Sequence, residues 1–297
     1  MSRDADASAP QTPPHLFAPR RRLIFKGRNG LAASVVSSVA LVAVIVGILY
    51  GTSGGQTFRF YFFNLHFLWM AVRGNPSKAV SSVVGGIVTN IWIFLLCEVL
   101  VLILALGIAW VRISTSALLV PFRLLATVYT DIFRGIPFVL VIYIVGYGVP
   151  QLNLGPLSNQ SPAVYGCIAL TLTYTAYVSE VYRAGLHSVP HGQILAARSL
   201  GLTQYSTMRR VVLPQAVRTV IPPLLNDFIS MQKDTALVSL IGVVETSRAA
   251  QIGQETYFNG SFLTMSALLF LALTIPMTRF TDHLIDKDRE KRLAGTR

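Results

Sequence analysis

The chain has 297 residues, of which 53% are hydrophobic and 13% charged, and its mean hydropathy is +0.56. Soluble domains carry about 25% charged residues, so the composition excludes an ordinary soluble globular protein and points to a membrane protein. The net charge of +12 could suit nucleic acid, but the positive residues stand beside apolar runs, as cytoplasmic loops do; a bilayer is expected as partner and no nucleic acid.

Taken in chain order, residues 1–18 are rich in Ser, Ala, Asp and Pro and read as a disordered tail. The basic run RRRLIFKGR (Arg20–Arg28) then precedes a long apolar stretch. That stretch exceeds a signal-peptide core of about 7–15 residues and has no small-x-small cleavage site after it. It is predicted to be a first transmembrane helix over residues 31–51. Residues 52–80 are aromatic-rich yet carry Arg59, Arg73 and Lys78, which suits a helix lying in the outer interface.

A second span is predicted from Val84 to Val111, with Glu98 near its centre. An amphipathic lead-in with Arg123, Asp131 and Arg134 follows, and a span beginning near Pro137 crosses outward. The uncharged loop 151–162 separates it from a span over 163–183. Next comes HGQILAARSLGLTQYSTMRRVVLPQA (His191–Ala216), basic and without an acidic residue. A span over 211–231, broken by Pro214, Pro222 and Pro223, leads to Lys233, Asp234 and a short apolar piece. The last span is predicted over 262–281, before a charged tail. Six spans with both termini in the cytoplasm put Arg20–Arg28, Arg112, Arg183–Arg210 and Lys287–Arg292 on one side. The fold class expected is therefore an all-α polytopic bundle.

Within the basic stretch, Gly192 and Gly201 are expected to bracket a helix of about two turns. Ala196 and Ala197 lack bulk, and Leu195, Leu200 and Leu202 are apolar where solvent is expected. Arg198 and Arg209 rim them. Two readings stand: a docking knob for another protein, or a loop helix packed on the membrane face. The intramembrane charges invite a similar choice. Charges that persist in lipid usually face a cavity or a partner, which nominates Glu98, Glu180, Arg218, Asp227, Lys233, Asp234 and Glu245. Lys233 and Asp234 either line a pore or fix a helix joint. Arg134 either lines the inner mouth or anchors a Pro-kinked span. Glu98 is a pathway group or an interhelical partner, and Asn226 reads as interhelical glue. Cys97 and Cys167 lie in apolar runs and read as small buried hydrophobes. The five histidines lack ligand spacing, so no metal site is expected.

Three segments carry a resemblance. Ala176–Leu202 with LPQA (Leu213–Ala216), YTDIFRGIPFVLV (Tyr129–Val141) and NDFISMQKDTALVSLIGVVE (Asn226–Glu245) resemble bacterial ABC-importer permeases. Within these they are similar to the polar amino acid branch, which handles histidine, glutamine, glutamate or arginine, and the resemblance spans roughly residues 85–283. It implies a permease domain over 81–283 with a coupling loop at 185–210. A tail at 1–29, an added segment at 30–80 and a C-terminal tail at 284–297 flank that domain. By the same resemblance, Gly192, Gln193, Leu195, Ala196, Ala197, Arg198, Leu200 and Gly201 form the coupling helix that sits in a groove of the ATPase. Leu195 stands where the motif usually has Glu, and KDTAL replaces the commoner KDTSL. Thr235 of that motif joins Glu98, Arg134, Asn226, Asp227, Lys233 and Asp234 as a candidate for the substrate pathway. The partners implied are ATPase subunits, a second permease subunit and an extracytoplasmic binding protein. No G-x-x-x-x-G-K-[ST] occurs, so ATP and Mg are expected on the ATPase and no cofactor or catalysis on this chain. Other solutes, or an ion-coupled transporter acting alone, are the alternatives.

Overall fold

The structure, a computed structural model, describes residues 28–294, with side chains from 32 to 287. The expected N-terminal tail and the basic residues Arg20 to Lys26 lie outside the described residues. The chain divides into two compact units, one ending at Arg59 and the other beginning at Phe60.

In the first unit, α1 (Arg28–Gly51) is apolar on every side. Its 24 residues extend about 36 Å at 1.5 Å per residue, enough for a hydrocarbon core of about 30 Å. Thr52 ends it, since its hydroxyl donates to the Ile48 carbonyl (2.7 Å) and accepts from the Gly55 N–H (3.0 Å). A Cβ at Gly55 would lie 2.7 Å from Leu49 Cα, so only glycine lets α2 (Ser53–Phe62) turn back so tightly. Arg59 donates to the Leu49 carbonyl (2.9 Å) and lies 3.8 Å above the Tyr50 ring.

The second unit is a helical bundle with no strand among the described residues. The short α3 (Leu65–Arg73) leads into α4 (Val83–Ile113), then α5 (Val120–Gly135), α6 (Phe138–Tyr143), a π turn and α7 (Val149–Gln151). There follow α8 (Pro162–His187), α9 (His191–Ser199), α10 (Gln204–Thr207) and α11 (Leu213–Asp234). A 3₁₀ segment, Thr235–Ile241, precedes α12 (Thr246–Tyr257) and α13 (Ser261–Ala294). The compact unit thus begins inside the segment expected to be an addition at 30–80. The reason is packing: Ala71 and Val80 are buried with Val83, Ala249, Ala250 and Phe262 in one cluster.

By length and hydropathy three helical stretches qualify to cross a membrane: Ala32–Gly51, Val83–Ile113 and Ser261–Lys287. A fourth is added if the pair Ala117–Gly135 and Phe138–Gln151, bent by 108°, counts as one span. The expected spans in α8 and α11 have 26 and 22 residues but carry polar groups, and in α8 the bundle buries them: Thr171, Thr173, Thr175 and Ser179 are all buried. Polar residues facing other helices are tolerated where lipid would not accept them.

The main core joins α4, α6, α8 and the Met231–Val243 region through Ile93, Phe94, Val101, Ile142, Leu170, Met231 and Val238. The span expected to be broken by three prolines is instead one continuous helix. Pro214 closely follows the π turn Met208–Val212, which runs on from α10, and that wider turn gives room for a residue with no N–H to donate. Pro222 and Pro223 lie inside it, and the carbonyls they free are tolerable where protein rather than lipid surrounds the backbone.

Candidate functional site

The loop between α8 and α11 contains a helix made to stop abruptly. Pro190 stands at the N-cap of α9, and its ring pre-sets a turn that lacks a donor to lose. At the other end Gly201 has φ +85°, a region glycine enters without steric cost. Its N–H donates to the Arg198 carbonyl (3.0 Å) and the Leu202 N–H to the Ala197 carbonyl (3.2 Å), the paired closure that satisfies the last carbonyls of a helix. Gly192, expected before the helix, lies inside it, because Pro190 already marks the start. Gln193 is tied to α11 through its Oε1, which accepts a hydrogen bond from the Gln215 side-chain amide (2.7 Å).

The short helix presents one face and hides the other. Leu200 is 84% and Leu195 54% exposed, with Tyr205 exposed beside them. Gly192, Gln193, Ala196 and Arg198 are also exposed. Ala197, expected on the docking surface, is instead 5% exposed. One turn-position later than Ala196, it points into the protein, so it sets how closely α9 packs rather than what α9 shows. Tyr205 is a residue that sequence reading missed; an aromatic in a polar loop was the available signal.

At the end of α8 that leads to this loop, Glu180 forms a hydrogen-bonded ion pair with Arg112 of α4 (2.7 Å) and a second with Arg183. This nominated charge is therefore a cross-helix tie rather than a lone group in the pathway.

A second constellation lies where α5, α8 and α11 meet. Arg134, at the end of α5, is exposed and has its guanidinium 5.9 Å from the Tyr177 ring centroid. The Tyr177 and Tyr174 rings are 6.3 Å apart, and the Tyr174 hydroxyl donates to Asp234 Oδ2 at 2.8 Å. A cation and a carboxylate, distant in sequence, thus end one line of aromatic rings. The two tyrosines were missed as well; their spacing by three residues on a helix puts them on one side. Lys233 and Asn226 are exposed on α11, which places Asn226 away from the interhelical role expected of it.

Glu98 lines a cavity of about 400 Å³ with Leu102, Leu224, Phe228 and Met277. Asp227 lies within electrostatic reach of both Glu98 and Tyr174, so the structure gathers these acids around α11.

Thr235 departs from expectation. It is fully buried, accepting from the Asn90 amide (3.1 Å) and donating to the Gln232 carbonyl (2.7 Å). Asn90 Oδ1 in turn accepts from the Thr246 N–H (3.1 Å). Glu245, also buried, caps α12 by accepting from the N–H groups of Ser247 and Arg248 (2.9 and 2.8 Å). Thr235 and Glu245 therefore hold a helix joint. Asn90 is the interhelical amide that Asn226 was taken for; a polar residue four after Gly86 in an apolar helix was its signal. Gly86 is needed there too, because a Cβ would lie 2.7 Å from the Glu245 carbonyl carbon.

Comparison with known proteins places this architecture. Residues 118–289 match the family described as binding-protein-dependent transport system inner membrane component. The arginine transport system permease protein ArtQ of Bacillus subtilis is 36% identical over 194 residues, 65% of this chain and 86% of that protein. The L-cystine transport system permease protein TcyB of the same organism is 35% identical over 211 residues, 71% of this chain and 87% of its own length. Among solved structures, an amino acid ABC transporter crystallised with histidines matches with a TM-score of 0.63 and 30% identity, over 69% of this chain and 93% of that one. An inward-facing MetNI methionine ABC transporter shares the fold, with a TM-score of 0.56 at 17% identity, over 72% of this chain and 99% of its own. The chain is a multi-pass membrane protein and belongs to the binding-protein-dependent transport system inner membrane component family, the permeases of ABC transporters.

Proposed function

We propose that the chain is the membrane subunit of an ATP-driven importer that passes a polar amino acid into the cytoplasm, and that α9 is the helix its ATPase grips. The observation that carries the second part is the exposure of three large apolar side chains in this one short loop, Leu195 on α9, Leu200 at its C-cap and Tyr205 on α10. Apolar anchors of this kind dominate protein interfaces. In this reading two permease subunits, identical or related, form the pore and six helices cross the bilayer. Both termini lie on the ATPase side, and a binding protein delivers substrate to the opposite face. ATP and Mg belong to the ATPase. Closure of the ATPase pair shifts α9, and the α4–α8 tie through Glu180 carries that shift into the bundle, an alternating exposure by rigid-body motion.

The relatives named above handle arginine and cystine, which supports an amino acid here. The line from Arg134 through Tyr177 and Tyr174 to Asp234 supports it independently. An α-amino acid carries a carboxylate and an ammonium, and this line offers a partner for each. Glu98, Asp227, Lys233 and Asn226 are the further candidates for the pathway, and the acids around α11 favour arginine or histidine over glutamate or glutamine.

The test is uptake of a labelled amino-acid panel in cells lacking the chain, then restored with it or with Leu200→Glu. Loss of one class, rescued by the intact chain alone, supports both parts. Ala197→Glu is the wrong probe, because it would disturb packing. Uptake that survives loss of every ATPase partner would make the chain an ion-coupled transporter and end this reading.

A further inference from the structure

The geometry points to α3 and the turn after it as a docking face for the headgroup phosphate of an anionic phospholipid, held by Arg73 and Lys78. No Asp or Glu occurs between residues 7 and 97, so this face carries cations without acids of its own. The one carboxylate nearby in the adjoining helix, Glu255, is exposed two residues before Tyr257 and forms no ion pair with either cation.

The outward face of α3 is also graded. Leu65, Trp69 and Arg73 recur every four residues, a single stripe on a helix, and all three are exposed, Leu65 at 81% and Trp69 at 56%. The opposite face packs on the bundle through Phe67, Met70 and Ala71. Along the stripe the chemistry passes from aliphatic to aromatic to basic over about 12 Å at 1.5 Å per residue. That order, aliphatic then aromatic then basic, is the one met in passing from acyl chains through the interface to the phosphates.

The cations are positioned rather than loose. The Arg73 guanidinium lies 4.5 Å from the Trp69 ring centroid and the Lys78 ammonium 4.8 Å from that of Tyr257. Tyr257 is held in turn by Asn75, whose amide donates to its hydroxyl at 2.7 Å. A hydrogen bond of 2.6 Å from Ser82 to the Val72 carbonyl and the Asn75–Val80 bridge fix the turn between the two cations. Ring faces leave the N–H groups of both cations free to reach outward to phosphate oxygens. A soluble acidic partner would explain the charges but not the exposed Leu65 and Trp69 on the same stripe, which favour lipid. The inference rests on membrane embedding and is independent of the transported solute.

The experiment measures binding of phosphatidylglycerol and phosphatidylcholine to the full chain in detergent, by lipid-induced change in the thermal unfolding midpoint. The wild-type chain is expected to prefer phosphatidylglycerol and to lose the preference near 0.5 M salt, where screening is strong (Debye length roughly 4 Å). Arg73→Gln with Lys78→Gln is expected to weaken phosphatidylglycerol binding about 30-fold, about fivefold per charge, and to leave phosphatidylcholine unchanged. Arg209→Gln with Arg210→Gln removes the same charge from another surface and is expected to bind as wild type. Equal losses in the two double variants, unchanged binding in the first, or no lipid preference in the wild type would each overturn the proposal. So would a first variant that binds lipid normally but loses stimulation by its binding protein. That result would make the face a protein dock.

Discussion

Two short helical segments interrupt the long helices of this chain, and they end alike but serve opposite ends. Both α9 and the 3₁₀ segment Thr235–Ile241 stop at a glycine with positive φ, Gly201 at +85° and Gly242 at +91°. The second is stitched into the bundle, with Thr235, Val238 and Ile241 buried and Asn90 bridging it to α12. The first is attached through Ala197 and the Gln193–Gln215 bond, with its leucines outside. The same local device closes a joint in one place and trims a presented surface in the other. What differs is the burial of the residues beside the glycine.

The largest effect that sharpens the contrast is Asn90→Leu. It strands the Thr246 N–H, at about 1–3 kcal/mol for a buried polar group left unpaired, and removes one of the two partners of the Thr235 hydroxyl. The expected result is a markedly lower unfolding midpoint in detergent together with lost uptake; an unchanged midpoint would show that the joint does not depend on its amide. Next comes Leu200→Glu. Its midpoint should move by no more than about 0.5 kcal/mol equivalent, while capture of the ATPase falls at least tenfold, since an anchor residue contributes about 2 kcal/mol. Full ATPase capture would break the comparison at its exposed side.

The two glycines give a matched pair. No side chain lies within 4 Å of a Cβ at either position, so alanine costs only backbone strain, about 1–2 kcal/mol. Gly242→Ala should appear as lost stability; Gly201→Ala should show weaker ATPase-driven uptake with a smaller fall in the midpoint, because an exposed loop relieves the strain by local fraying. Identical phenotypes would show that the segments do not differ in role. The smallest effect is expected for Glu180→Gln, which leaves Arg112 and Arg183 without a countercharge where all three side chains are partly solvated. A loss of about 1 kcal/mol is in scale for such a pair. A selective fall in binding-protein-stimulated over basal ATP hydrolysis would mark it as part of the coupling route.

Much of this was legible in the residues. Apolar length placed α1, α4 and α13, because a membrane demands a hydrophobic run of fixed extent. The loop helix was legible from Gly201 and the leucines, while its start at Pro190, ahead of the Gly192 expected to mark it, was not. What pattern could not supply was direction. Ala196 and Ala197 are identical in sequence, yet only one faces outward, and that depends on what the next turn packs against. For the same reason the interhelical role expected of Asn226 belongs to Asn90, and the motif that holds Thr235 marked importance without saying whether it met solute or neighbour. Prolines were over-read in α11, because the cost of a freed carbonyl depends on what surrounds the helix.

The two native thiols have a practical consequence. Cys97 sits inside the α4–α8 packing with its sulfur 3.7 Å from the Cys167 carbonyl, and Cys167 lines an apolar groove beside it. The thiolate is the nucleophile that attacks a thiol-reactive dye, and a dye in water must reach the sulfur, which the packing of both spans hinders. With no third cysteine in the chain, a single one placed at Leu200, which is 84% exposed, would offer a fluorophore a far more accessible thiol than either native one. The native sequence is already prepared for watching one loop move while the protein works.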